Sequence, residues 1–336
     1  MAVIVNTDNV ERKTLAILRV LAEAREPVGS RFIARELEGR GLSLPERTVR
    51  YHLKLLDQRG FTLPWGRDGR VITPQGREEL QNARVADKVG LVISRIQLLA
   101  FHTTFDPRTR RGRVPINISY FPVAQFELAL RAMEGAFPAG LAVSDLVAVA
   151  EEGERMGDWT VPPGKVGLAT VCSITVNAAL LKAGIPVDSR FAGILQIKDS
   201  RPHRFVELIS YSGSTLDPSE VFIRGRMTDV QGAAKGEGKV LANLRDIPAP
   251  CRPAAEAIVS QLQGAGIGGV LALGDHHEGV CQVPVGVGQV GMVLLGGLNP
   301  VAAAREAGIE AESRAMAATL DYARLRPFRD LLAARR

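Results

Sequence analysis

An internal repeat constrains this chain more than any other feature. The stretch "GKVG" from Gly164 and the stretch "GQVG" from Gly288 lie 124 residues apart, and the match runs on without gaps to "KAGIPVDS" beside "EAGIEAES". Ala183, Gly184, Ile185 and Ser189 meet Ala307, Gly308, Ile309 and Ser313. At the same offset "LVAVAEEGE" from Leu146 meets "VLALGDHHE" from Val270, and further back "INISYFPVAQFELALRAM" corresponds to "VLANLRDIPAPCRPAAEAIV". One ancestral unit occurs twice, so the fold has to hold two copies of one arrangement.

Each copy reads strand, helix, strand, glycine-rich turn, strand, helix. In the first copy these fall at about 114–121, 124–135, 146–150, 166–172 and 176–184. The connection 190–236 adds strands in "FAGILQIKD", "RFVELISY" and "SEVFIRGRM". The pattern predicts an α+β fold: a two-layer α/β sandwich over 113–336, internally duplicated at about 113–189 and 237–313, with helices on one face of mixed or antiparallel sheet. Two copies related by a pseudo-two-fold leave a cleft at their junction.

The first third of the chain differs in charge. Residues 1–113 hold twenty-one Lys and Arg against thirteen Asp and Glu, and residues 114–336 hold twenty-one against twenty-three. A basic segment on a near-neutral body suggests one module that meets a polyanion. "TDNVERKTLAILRVLAEAREP" offers Thr7, Asp8 or Asn9 as a cap and Leu15, Leu18, Val20 and Leu21 at helical spacing, stopping before Pro27. "SRFIARELEGRG" gives a second helix capped by Ser30, and "PERTVRYHLKLLDQRG" a third with Val49, Leu53 and Leu56 as its buried stripe. "FTLPWGRDGRVIT" follows as two short strands around Gly66 to Gly69, and "PQGREELQNARVADKVG" returns to helix.

Three helices and a hairpin with a basic tip are the order of a winged helix-turn-helix, placed at 1–85, with 86–112 as a basic connection. The stripe leaves Arg47, Thr48, Arg50, Tyr51 and Lys54 on the outer face of the third helix, the one that enters the major groove of double-stranded DNA in this motif. Arg67 and Arg70 on the wing are expected to touch the backbone or minor groove. The bland alternative is a solvated basic helix in a protein-binding module.

At the junction of the copies, "TVCSITVN" places Thr170, Cys172, Ser173, Thr175 and Asn177 at a strand end and helix start, where free backbone N–H groups favour an anion. The second copy has "LLGGLNP" there, with Gly296, Gly297 and Asn299, and "YSGSTLDP" adds Ser214 and Thr215. Arg224, Arg226 or Arg245 offers a charge for a carboxylate. Each residue singly reads as capping or turn chemistry; together they read as a site for a small anion.

Other signals carry less. "GVGQVG" from Gly286 precedes a strand-like run instead of opening a helix, against a dinucleotide site. His276 and His277 in "DHHEG" are adjacent and point apart, which reads as a loop and gives no metal site. Cys172, Cys251 and Cys281 form no CxxC pair, and no run of about 18 apolar residues spans a membrane, so a cytoplasmic protein without cofactor is expected. An enzyme built on the duplicated unit, with Asp217, Glu220 or Asp275 as titratable groups, remains an alternative. A winged-helix RNA-binding protein is a weaker one.

The join of "ERTVRYHLKLLDQRGF" to "GLATVCSITVNAALLKAGIPV", "YSGSTLDPSEVFI", "GRMTDV" and "GKVLANLRDIP" resembles the NrpR family of transcriptional regulators over nearly the whole chain. That resemblance implies a winged helix joined to an NrpR regulatory domain. It further implies a homodimeric repressor of nitrogen-assimilation operons that binds a palindromic operator and is released by 2-oxoglutarate, a small dicarboxylate.

Overall fold

The computed structural model describes residues 4–24, 26–40, 42–66, 68–82, 90–275 and 278–334. It divides into two compact units, 1–88 and 89–336.

In the first unit, α1 (Ile4–Glu23), α2 (Ser30–Gly39) and α3 (Glu46–Gln58) surround a core of Ile17, Leu18, Leu21, Ile33, Leu37, Val49, Leu53 and Leu56. β1 (Thr62–Trp65) and β2 (Gly69–Ile72) form the antiparallel hairpin, β2 also bridges Val28, and α4 (Pro74–Asn82) follows. Two expected caps are different. α1 starts at Ile4, ahead of Thr7, Asp8 and Asn9, and the Ser30 hydroxyl donates to Glu46 at 3.0 Å, tying α2 to α3 instead of capping its own helix.

The second unit opens on α5 (Leu91–His102), whose Val92, Ile96 and Ala100 join its core. Within the basic connection expected at 86–112, residues 91–102 thus form a packed helix, because their apolar residues recur at helical spacing. The first half then runs β3 (Arg113–Pro122), α6 (Phe126–Met133), β4 (Leu146–Ala150), the short pair β5 (Arg155–Met156) and β6 (Trp159–Thr160), β7 (Lys165–Val171), α7 (Ile174–Lys182) and β8 (Asp188–Lys198). After β9 (Arg201–Ser210), α8 (Pro218–Arg224) and α9 (Val230–Ala233), the second half repeats the order. It runs β10 (Gly238–Pro248), α10 (Arg252–Gly264), β11 (Val270–Leu273), β12 (Gln289–Leu295), α11 (Asn299–Glu306) and β13 (Glu312–Asp321). β14 (Arg326–Pro327) and α12 (Phe328–Ala334) close the chain described.

The fold is α+β, with two five-stranded sheets ordered β13-β3-β7-β4-β14 and β11-β12-β10-β8-β9. Every strand pairing in them is antiparallel. β3, β7 and β4 correspond to β10, β12 and β11, and each set is extended by the last strand of the other half: β13 pairs β3, and β8 pairs β10. The copies therefore reach beyond 189 and 313, through β8 and β13, because those strands are needed to cover the flank of the opposite sheet. Helices cross over too, α11 packing on α6 and α7 on α10, within one continuous core. Gly167 and Gly291 occupy matching positions: a Cβ at Gly291 would sit 2.5 Å from Val280 and 2.8 Å from Val285, and one at Gly167 would press on Val161 at 3.0 Å.

One expected strand is a helix. "SEVFIRGRM" forms α8 because the Asp217 carboxylate accepts from the amides of Ser219 and Glu220 and Pro218 occupies the first turn, a cap that outweighs the strand preference of Val221 and Ile223.

Candidate functional site

α3 buries Val49, His52, Leu53 and Leu56 and so turns Arg47, Arg50, Tyr51 and Lys54 outward, with Thr48 half-buried beside them. Tyr51 is 60% exposed, and Arg50 pairs with Glu46 at 2.8 Å across one turn. Glu46 also holds Ser30, and these hydrogen bonds draw its carboxyl below the usual range. The face of α3 thus presents Arg47, Tyr51 and Lys54 outward, with Arg50 held by Glu46, on a braced helix suited to base edges and phosphates.

On the wing the expectation divides. Arg67 lies outside the described residues. Arg70 is turned to Asp57 on α3, with Nε at 2.8 Å from Oδ2 and 3.1 Å from Oδ1, so it pins wing to helix instead of reaching outward. Leu63 and Trp65 on β1 are more than half exposed. Sequence reasoning passed over them, although the burial run of that strand leaves three successive side chains outside.

In the second unit a narrow pocket lies where the halves meet. Asn117 and Asn243, at matching positions of β3 and β10, line it with Cys172–Ile174 from one half and Gly296–Leu298 from the other. Tyr211, Asp217, Ser219, Arg245, Ile96, Ala315 and Met316 complete the wall. Its interior volume of about 20 Å³ holds about one water molecule. Gly296 and Gly297 are required by close approach: a Cβ on Gly297 would sit 2.4 Å from the Val171 carbonyl and 2.5 Å from Asn117 Nδ2.

Arg245 dominates the electrostatics. It is 1% exposed, Nη2 donates to Ser173 Oγ at 3.1 Å, and Nε and Nη1 have no partner among the described residues. Burial works against its charge. A buried guanidinium with donors unsatisfied is costly unless an anion completes it. Asn243 Nδ2 also reaches Ser173 Oγ, at 3.4 Å, and its Oδ1 accepts from the Tyr211 hydroxyl. Burial pushes the Cys172 thiol up to about 11, which keeps it a protonated wall group. Desolvation, then the Glu220 charge, lifts Asp217 to about 6.

Of the residues expected here, Cys172, Ser173, Gly296 and Gly297 line the pocket. The others are engaged in the fold or stand apart. Thr175 donates to the Cys172 carbonyl, Thr170 accepts from Asn117, and Asn177 donates to Ser189. Asn299 is fully buried and satisfies both Leu241 backbone groups and the Leu141 carbonyl. Ser214 closes its own turn onto Leu216, and Thr215 is half-exposed outside the lining. Of the three arginines offered, Arg224 and Arg226 are exposed. Asp275 is tied to Arg252 at 3.3 Å, while His276 and His277 lie outside the described residues.

A winged helix with an open basic face, joined to a duplicated unit around a buried arginine, defines a transcription regulator of the winged-helix class. Residues 89–327 match the family model of NrpR regulatory domains NRD1 and 2, and residues 15–80 match the ribonuclease R winged-helix domain. The chain is 43% identical over 314 residues to the global nitrogen regulator NrpRI of Methanosarcina mazei, covering 93% of this chain and 97% of that one. It is 35% identical over 297 residues to the global nitrogen regulator NrpR of Methanocaldococcus jannaschii, covering 88% of this chain but 51% of the relative. A crystal structure of a nitrogen repressor-like protein from Methanococcus jannaschii shares the fold at a TM-score of 0.61 and 24% identity, over 71% of this chain and 98% of that one. The chain belongs to the NrpR family of transcriptional regulators. Its relatives are named as regulators, and nothing among them supports the enzyme alternative. No helix among the described residues is long and apolar enough to cross a membrane.

Proposed function

We propose that this regulator is a homodimeric repressor of nitrogen-assimilation genes, released from a palindromic operator when 2-oxoglutarate binds at the junction of the two halves. The observation that carries the reading is Arg245, buried with Nε and Nη1 unpartnered in a wall of hydroxyl, amide and backbone groups. One carboxylate of the effector completes that guanidinium in bidentate fashion. Ser173 and the starts of α7 and α11, which both open on the pocket, receive the remaining oxygens. The small interior means that the ligand enters by widening the pocket, so it favours a wider conformation. Operator affinity falls by the factor by which the ligand prefers that conformation, typically about 1–3 kcal/mol.

The test is fluorescence anisotropy of the full chain on its own upstream DNA at fixed salt, titrated with 2-oxoglutarate and with glutamine. Specific binding weakened by 2-oxoglutarate alone supports the reading. Specific binding indifferent to both removes the effector and leaves the regulator; preference for single-stranded RNA over duplex DNA would remove the operator as well.

A further inference from the structure

The pocket holds a second charge that an anionic ligand must meet. Asp217 lines the same pocket as Arg245, yet no ion pair joins them: Asp217 Oδ1 accepts the amides of Ser219 and Glu220, and Arg245 bonds Ser173. The groups around Asp217 are few. Glu220, on its own helix, accepts the Ala315 amide and lies 3.6 Å from Arg224. The Tyr211 phenol and the Cys172 thiol come from the neighbouring loop and strand end, both kept protonated by burial. β10 supplies Arg245, while β13 and α5 contribute Ala315, Met316 and Ile96, which do not titrate.

An anion seated on the buried Arg245 therefore shares one narrow pocket with the half-buried carboxylate of Asp217. Like charges in such a space do not both stay ionised. We propose that Asp217 is the charge-selecting residue of the effector pocket, and that an anionic ligand binds together with one proton, held on the Asp217 carboxyl. The proton comes from solvent and stays on Oδ2, whose O–H donates a hydrogen bond to a ligand oxygen, while Oδ1 keeps the two α8 amides. Burial already raises the Asp217 carboxyl to about 6, so protonating it at neutral pH is easier than for an ordinary carboxyl. The inference rests on the pocket being the anion site.

Calorimetry of the full chain with 2-oxoglutarate tests it, at pH 6.5, 7.5 and 8.5 and in phosphate and Tris, for wild type and Asp217→Asn. The wild-type Kd is expected to rise by up to about tenfold per pH unit, with proton uptake approaching one per ligand from the buffer dependence. Asp217→Asn, checked for fold by circular dichroism, is expected to bind without pH dependence or proton uptake. Wild-type binding indifferent to pH and buffer, or an unchanged slope in Asp217→Asn, overturns the proposal and leaves the site standing. No binding by either protein at any pH overturns both.

Discussion

Asn117 and Asn243 face one pocket from the two sheets, at matching places in the two halves, but they are bonded differently. Asn117 Nδ2 reaches Thr170 Oγ1 at 3.3 Å and its Oδ1 takes the Met316 amide, whereas Asn243 reaches Ser173 and accepts from Tyr211. Duplication made two equivalent walls, and divergence put the charge on one: the residue two beyond Asn243 is Arg245, and the residue two beyond Asn117 is Ser119, bonded to Ser313. The chain thus has one charged pocket wall where its symmetry allows two.

Arg245→Met is expected to weaken effector binding at least about tenfold, the worth of one charge-assisted hydrogen bond. Thermal stability should stay level or rise, since the change removes an uncompensated buried charge. Calorimetry and a melting curve on the same preparation check both. A clear loss of stability would mean that the guanidinium is satisfied in the protein by itself.

Gly297→Ala forces a methyl into contact with the Val171 carbonyl and Asn117 Nδ2. The expected cost is about 1–3 kcal/mol from overpacking, read by denaturant melts. A folded variant should also lose its response to 2-oxoglutarate on operator DNA.

The Asp217 carboxyl, at about 6 in the folded protein, titrates above its ordinary value of about 3.9. Between those values the folded protein holds a proton that the unfolded chain has released, so stability falls as pH rises through the window and the penalty is complete above it. Asp217→Asn retains a capping oxygen and removes the penalty. Its melting temperature relative to wild type should climb between pH 4 and 7, and a flat difference across that range would count against the assignment.

Arg47→Ala and Lys54→Ala are each expected to lower the salt slope of DNA binding by about 0.9 if they hold phosphates. A base-specific loss would mark readout instead. Arg70→Ala should behave otherwise: breaking its pair with Asp57 costs the first unit about 1 kcal/mol of stability, and its effect on DNA should track that loss.

The sequence exposed what is local or repeated. The helices of the first unit follow from their apolar spacing, and the repeat announced both halves through glycines and small residues that recur at a fixed offset. Strand order was hidden, since β8 and β13 read the same whether they close their own sheet or the other. α8 was misread from Val221 and Ile223, although Asp217 and Pro218 carried the capping signal. Arg245 stood among three arginines of equal standing. Its distinction lay in "VLANLRDIP", a run too apolar to leave a guanidinium outside, and β10 is indeed buried along nearly its whole length.

The exchanged strands have a consequence for how such a domain can open. Each half supplies the outer strand of the other's sheet, so the two sheets cannot part without uncovering β3 and β10 together. The halves are therefore bound to come apart as one, and any opening of the pocket between them has to leave both exchanged strands in place.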